Sequence, residues 1–239
     1  MAKSATQKRA GTDEAGGQTS HNHLEASGSS ASDTRQKLID TAARHFAEFG
    51  FEGASLRAIQ RELGVNPASV HYHFGSKRAV YDAIMENYFS RIQQERERRF
   101  EAIDPEAKGH ERLRALIEAY VAPHLEVVAA EHGDSYGRLM ARSVVEKNRG
   151  GPDLIGALSP LRERFIGEFG RLFTEASRTQ IARALSFAIV LMVTIPFERS
   201  FLAMTGRASQ TSSPESWTNS LVTFSAAGFI ASCGELLED

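Results

Sequence analysis

The residues from Leu56 to Lys77, LRAIQRELGVNPASVHYHFGSK, constrain the fold more than any other stretch of the chain. Leu56, Ile59 and Leu63 recur at helical spacing, so they share one face of a short helix and send Arg57 and Arg61 elsewhere. Ser55 is placed to cap that helix. Gly64 supplies a turn, Val65 plugs the core beneath it, and Asn66 followed by Pro67 is a cap with a first-turn proline. At about 100° per residue, Val70 and Phe74 fall on one side of the next helix, while Ala68, Ser69, His71 and Tyr72 fall on or near the opposite side. Small side chains at a helix N-terminus with hydrogen-bonding ones behind them suit close approach to a major groove, and the pattern is that of a helix-turn-helix. Gly75 ends the second helix, Ser76 caps a third, and Lys77 lies in its first turn, where free N–H groups and a cation favour a phosphate.

The flanks divide the chain into three parts. Residues 1–32 are rich in Ser, Gly, Ala, Thr and Gln, with Leu24 the only large apolar side chain after Met1, so they are expected to form a disordered tail. Its histidines, His21 and His23, carry no metal or nuclease assignment. A helix is expected from Ser32 or Asp33 through Phe49, with Leu38, Ile39, Ala42, Phe46 and Phe49 on one face and Gly50 as its stop. Residues 33–80 then form a three-helix DNA-binding domain, and residues 81–239 a larger helical regulatory domain. The net charges of these three parts are 0, +2 and −4. A mildly basic head on an acidic body is the asymmetry of a nucleic-acid reader joined to a regulatory domain.

Residues 35–80 resemble the DNA-binding domain of the tetracycline-repressor (TetR) family. The resemblance is carried by the run ARHFAEFGFEGASL, the turn LGVNPASV and the ending HYHFGSK. It implies that Arg57, Ser69, His71, Tyr72, His73 and Lys77 touch DNA. The family usually has tyrosine where this chain has His71, followed by a variable residue, here Tyr72, so which of the two reads a base stays open. His73, on the flank of the inner face, is either a backbone contact or a packed histidine. The resemblance further implies an all-α protein acting as a homodimer on a palindromic operator, with the long helix after Ser76 as the lever between body and reader. Repressor is the family precedent. An activator, a ligand-independent regulator or a non-DNA-binding helical scaffold are the alternatives, and binding to the promoter beside the protein's own gene separates the last from the others.

That lever helix is expected to run from Ser76 to about Ile103, with Val80, Ile84, Tyr88 and Ile92 on its inner face and Gln93 to Arg99 mostly solvated. Beyond it, periodicity predicts helices at about 106–131, interrupted near Pro123; 134–148; 153–174 with a break at Pro160; 178–204 with a kink near Pro196; and 214–237. The stretches Ala182 to Phe201 and Leu221 to Leu237 are apolar around most of their circumference and so must be covered on nearly every side. In TetR-like proteins the last two long helices pack against those of a second subunit, which supplies that cover. Candidate ligand-lining residues are Tyr120, His124, Tyr136, Met140, Phe165, Phe169, Met192 and Phe197. Phe165 and Phe169 form a stripe with Phe173 that also serves core packing. Arg138, Arg142, Glu198 and Arg199 are candidate polar anchors. The HYHFGSK ending is similar to those of a branch of the family that includes lipid-metabolism regulators, which implies an acyl or other hydrophobic effector.

Several classes are excluded or disfavoured. No apolar run approaches the roughly 18 residues of a membrane span, and no apolar block follows Lys3, Lys8 and Arg9 as in a secretory signal, so a cytoplasmic protein is expected. The single cysteine, Cys233, has no disulfide or metal partner nearby and reads as a small buried side chain. His71 and His73 project about 200° apart on a helix and do not share a metal ion. There is no Gly-rich phosphate loop, no G-x-S-x-G elbow and no H-E-x-x-H pair, so neither an enzyme nor a cofactor is implied.

Overall fold

The computed structural model describes residues 22–64, 75–130, 133–145, 159–195, 204 and 213–237. The chain divides into two compact units, residues 1–37 and 38–239. In the first, the described residues belong to one helix, α1 (Asn22–Gly53), which runs on into the second. The second also holds α2 (Leu56–Leu63), α3 (Lys77–Glu101), α4 (Gly109–Ala129), α5 (Gly133–Val145), α6 (Ser159–Leu172), α7 (Arg178–Thr194) and α8 (Pro214–Cys233). All eight elements among the described residues are helices, as the periodicity predicts.

Helix α1 begins at Asn22, upstream of the expected start at Ser32 or Asp33. Nucleation is the costly step of helix formation. Once Leu38, Ile39, Ala42 and Phe46 are packed, each further residue adds one backbone hydrogen bond and needs no apolar face of its own. The break at its other end falls at Gly50, whose φ of 70° and ψ of 175° leave the helical region. Gly64, at φ 65°, ends α2 in the left-handed conformation. Ser76 caps α3, its hydroxyl accepting from Ala79 N at 3.1 Å.

Two buried clusters organise the second unit. One gathers Leu38, Ile39 and Phe46 of α1, Ile59 of α2, and Val80, Ile84, Tyr88 and Ile92 of α3 with Tyr136, Leu139 and Met140 of α5. Burying an Ile or Phe of this set contributes about 1.5–3 kcal/mol. The other is built on α4, which packs against α3, α5, α6, α7 and α8. It contains Leu116, Tyr120, Phe165, Phe169, Leu185, Met192, Leu221 and Phe229.

Helix α4 passes through Pro123 without the expected interruption. Cover on so many sides outweighs the roughly 3 kcal/mol intrinsic cost of an interior proline. Pro160 likewise lies in the first turn of α6, where no backbone donor is lost. The turn from α4 to α5 depends on Gly133, whose N–H donates to Ala130 O at 2.9 Å. A Cβ there would come within 2.2 Å of Val127 O and 2.4 Å of Val128 O. Gly133→Ala is therefore expected to lower unfolding free energy by about 1–3 kcal/mol, read by urea titration, because backbone rather than a flexible side chain must move. An unchanged midpoint would show that the turn has room to spare.

Candidate functional site

The head is held rigidly by aromatic packing. Phe46 and Phe51 each meet Tyr81 edge-on, at 5.2 and 5.3 Å between ring centroids. On the surface Glu62 of α2 accepts from Arg44 at 2.8 Å and lies 2.7 Å from His45 Nε2, both on α1. The hydrogen bonds to His45 and then Arg44 hold the Glu62 carboxyl below its ordinary value. This clasp fixes α2 against α1. Arg57, in the first turn of α2, is exposed. Lys77, in the first turn of α3, is half-buried; its ammonium donates to Glu52 O at 2.9 Å and lies 5.1 Å from the centre of the Phe51 ring. Ser69, His71, Tyr72 and His73 lie outside the described residues, as do Phe197, Glu198 and Arg199.

In the body, Tyr120, His124, Tyr136, Met140, Phe165, Phe169 and Met192 are all buried, but they do not form one set. Tyr136 and Met140 belong to the cluster shared with the head, and Tyr136 stacks on Tyr88 of α3 at 4.1 Å. Phe169 packs at 4.5 Å on Phe229 of α8, and Phe173 packs on the same ring. Those two are core. Tyr120 and Phe165 meet edge-on at 5.0 Å, close to Met192 in the α4 cluster. His124 sits at the border of the two clusters, its ring 5.6 Å from that of Tyr136.

The candidate anchors of α5 serve other ends. Arg138 is exposed and pairs with Asp134 on its own helix. Arg142 Nη2 donates to Glu48 O of α1 at 3.1 Å, tying the end of α5 to the reader's first helix. The basic group that does enter the body is Arg96, 3% exposed, in the stretch expected to be solvated. Val80, Ile84, Tyr88 and Ile92 advance by four, and the next position in that stripe is Arg96. That spacing was the available signal, and its neighbours Glu95, Glu97, Arg98 and Arg99 masked it. Those neighbours do face outward: Arg99 reaches both Glu126 oxygens at 2.8 Å, and Glu97 pairs with Arg164 at 2.8 Å.

Helices α7 and α8 present an apolar groove lined by Ala184, Phe187, Leu191, Phe224, Gly228 and Ser232. Phe187 is 59% exposed, Val190 50% and Phe224 66%. Among the described residues no group of side chains is arranged to hold a metal, and no helix is long and apolar enough to cross a membrane.

Two family models match the chain: bacterial regulatory proteins of the tetR family over residues 38–84, and a tetracyclin repressor-like C-terminal domain over residues 118–228. Among curated proteins the chain is similar to the HTH-type transcriptional repressor AcnR of Corynebacterium glutamicum, 34% identical over 59 residues, which are 25% of this chain and 31% of that protein. It is also similar to IcaR, the negative transcriptional regulator of the biofilm operon in Staphylococcus epidermidis, 34% identical over 56 residues, 23% of this chain and 30% of that protein. The chain thus spans about a third of the length of the curated relatives it matches. A TetR-like transcriptional regulator from Rhodococcus has a similar structure, with a TM-score of 0.55 at 16% identity, covering 82% of this chain and 94% of that one. So does a protein of Streptomyces coelicolor, with a TM-score of 0.55 at 19% identity, covering 81% and 97%. At these identities the likeness is one of fold.

Proposed function

The chain belongs to the TetR family of bacterial regulatory proteins, which are regulators rather than enzymes, and from that premise we propose that it is a DNA-binding transcriptional repressor released by a small hydrophobic effector. The observation that carries the reading is the coincidence of the matched residues 38–84 with the head: α1, α2 and the start of α3 around one core, with Arg57 and Lys77 on either side of residues 65–74. Ser69, His71 and Tyr72 then read the major groove, while His73 and Lys77 hold the backbone. The protein works in the cytoplasm as a homodimer, its subunits joined through the α7–α8 groove. Exposed Phe187, Val190 and Phe224 support that joint, since water-exposed aromatic and aliphatic faces of this kind mark an interface. Two copies match a palindromic operator whose half-sites lie about 34 Å, or a multiple of it, apart.

Selection of bound DNA from a random pool tests reader and dimer together. A winning site with two-fold symmetry is expected, and failure to enrich any sequence would overturn the reading. Lys77→Ala should weaken binding to all sequences and flatten the salt dependence by about one unit, because one fewer phosphate is neutralised by the protein. Because the same ammonium also ties α3 to Glu52, a lowered melting temperature with an unchanged salt slope would move Lys77 to a purely structural role. His71→Ala and Tyr72→Ala should each cost about 1–3 kcal/mol at particular base pairs. A uniform loss across sequences would place the residue on the backbone instead.

A further inference from the structure

The buried arginine of α3, Arg96, meets no carboxylate among the described residues. Burying a guanidinium without a counter-charge is costly. Its Nε donates to Tyr120 O at 2.7 Å, Nη1 reaches Gln93 Oε1 only at 3.4 Å, and Nη2 has the Met192 sulfur at 3.7 Å. A thioether is a weak acceptor, so the outer edge of the guanidinium is poorly served. The group lies 4.1 Å over the ring of Tyr120.

Two further buried polar atoms are orphaned in the same neighbourhood. His124 Nε2 and Tyr136 Oη have no hydrogen-bond partner among the described residues, in side chains 2% and 0% exposed. His124 stands one helical turn beyond Tyr120 on α4 and touches the Tyr136 ring. Burial, and then the charge of Arg96, press the imidazole toward its neutral form. Buried polar groups in folded proteins are almost always paired, and two unserved ones beside a poorly served guanidinium share a cause.

We propose that Arg96, His124 and Tyr136 are the polar end of the effector site, and that the effector is a carboxylate on an apolar body. The guanidinium and the phenol are donors, and a neutral imidazole can present N–H at Nε2, so the complementary partner is an acceptor. A neutral acceptor would complete the hydrogen bonds and leave the charge unbalanced; a carboxylate does both. The apolar groups packed against them are Tyr88 on Tyr136, and Tyr120 and Met192 on Arg96, which suit an aliphatic or aromatic remainder. Arg96 and Tyr88 both belong to α3, which begins at Lys77. A ligand drawn to Arg96 therefore bears directly on the helix that carries the reader. The link to DNA release rests on the repressor reading above; the binding chemistry does not.

The test uses the full chain with four probes: sodium octanoate and sodium benzoate, against 1-octanol and benzyl alcohol as uncharged counterparts. At least one carboxylate is expected to raise the melting temperature saturably while its alcohol does not. Tyr136→Phe, which removes one oxygen and leaves the ring, should weaken that carboxylate by about tenfold, and Arg96→Met by more. No shift with either carboxylate, or equal shifts with the alcohols, overturns the proposal. So does Tyr136→Phe that lowers the melting temperature of the free protein yet responds to carboxylate like the parent. Gel shifts on the selected DNA separate the two readings. DNA binding without any carboxylate response removes this site and leaves the regulator, whereas a carboxylate response without DNA binding does the reverse.

Discussion

Replacing Phe224 with glutamate is expected to yield a monomer of 26.2 kDa in sedimentation and to weaken binding to a two-half-site operator by roughly 10²–10⁴-fold, the advantage that linking two binding modules confers. The side chain lies at the groove between α7 and α8, so in the single chain its replacement removes little packing. In a dimer the same carboxylate would be taken from water into an apolar joint without a partner, which costs several kcal/mol. Retained helicity by circular dichroism with disappearance of the heavier species is the expected pairing. Affinity for a single half-site should be unchanged, because Phe224 lies outside the buried cluster that holds α1, α2 and α3 together. A parent protein that sediments as a monomer at micromolar concentration would sink the dimer, and with it the interface role of Phe187 and Val190.

Acid should destabilise the fold through His124 before its carboxylates are protonated. Burial, followed by the nearby charge of Arg96, lowers the His124 pKa from 6.5 to about 3. Between those values the unfolded chain binds a proton that the folded chain refuses. Unfolding free energy is then highest above the unfolded value and falls as pH drops toward 3, by on the order of 1 kcal/mol per pH unit. Glu95, held at about 2 by its hydrogen bonds to Arg98 and then Arg99, adds an acid sensitivity of its own, with onset nearer its ordinary value of 4.5. Urea titrations of the parent and of His124→Phe between pH 7 and 5 isolate the histidine. The parent should lose stability across that window and the variant should stay nearly level, whereas parallel curves would show that His124 finds a compensating partner.

The local punctuation of the chain was legible because it is decided within a few residues. Gly50 and Gly64 take up positive φ where the sequence places stops, and Ser76 caps α3 with its own hydroxyl. The stripe of Val80, Ile84, Tyr88 and Ile92 reads as a buried face and is one, since a helix repeats its own surface every turn. Element type and order among the described residues follow from such short-range rules.

Arg96 and Pro123 obeyed another scale. Whether a guanidinium in that stripe stays in water depends on Tyr120, which lies 24 residues away, and on Met192, which lies 96 away, both brought to it by the closing of α4 and α7. Pro123 remains helical because five other helices surround α4. The stripe of Phe165 and Phe169 divides for the same reason: Phe165 meets Tyr120, and Phe169 packs on Phe229. Hydrogen-bond rings and periodic faces close within a turn or two and are written in neighbouring residues, so the helices were settled there. Which buried polar group meets which partner is settled only when distant helices pack, and that is where Arg96, His124 and Tyr136 came together.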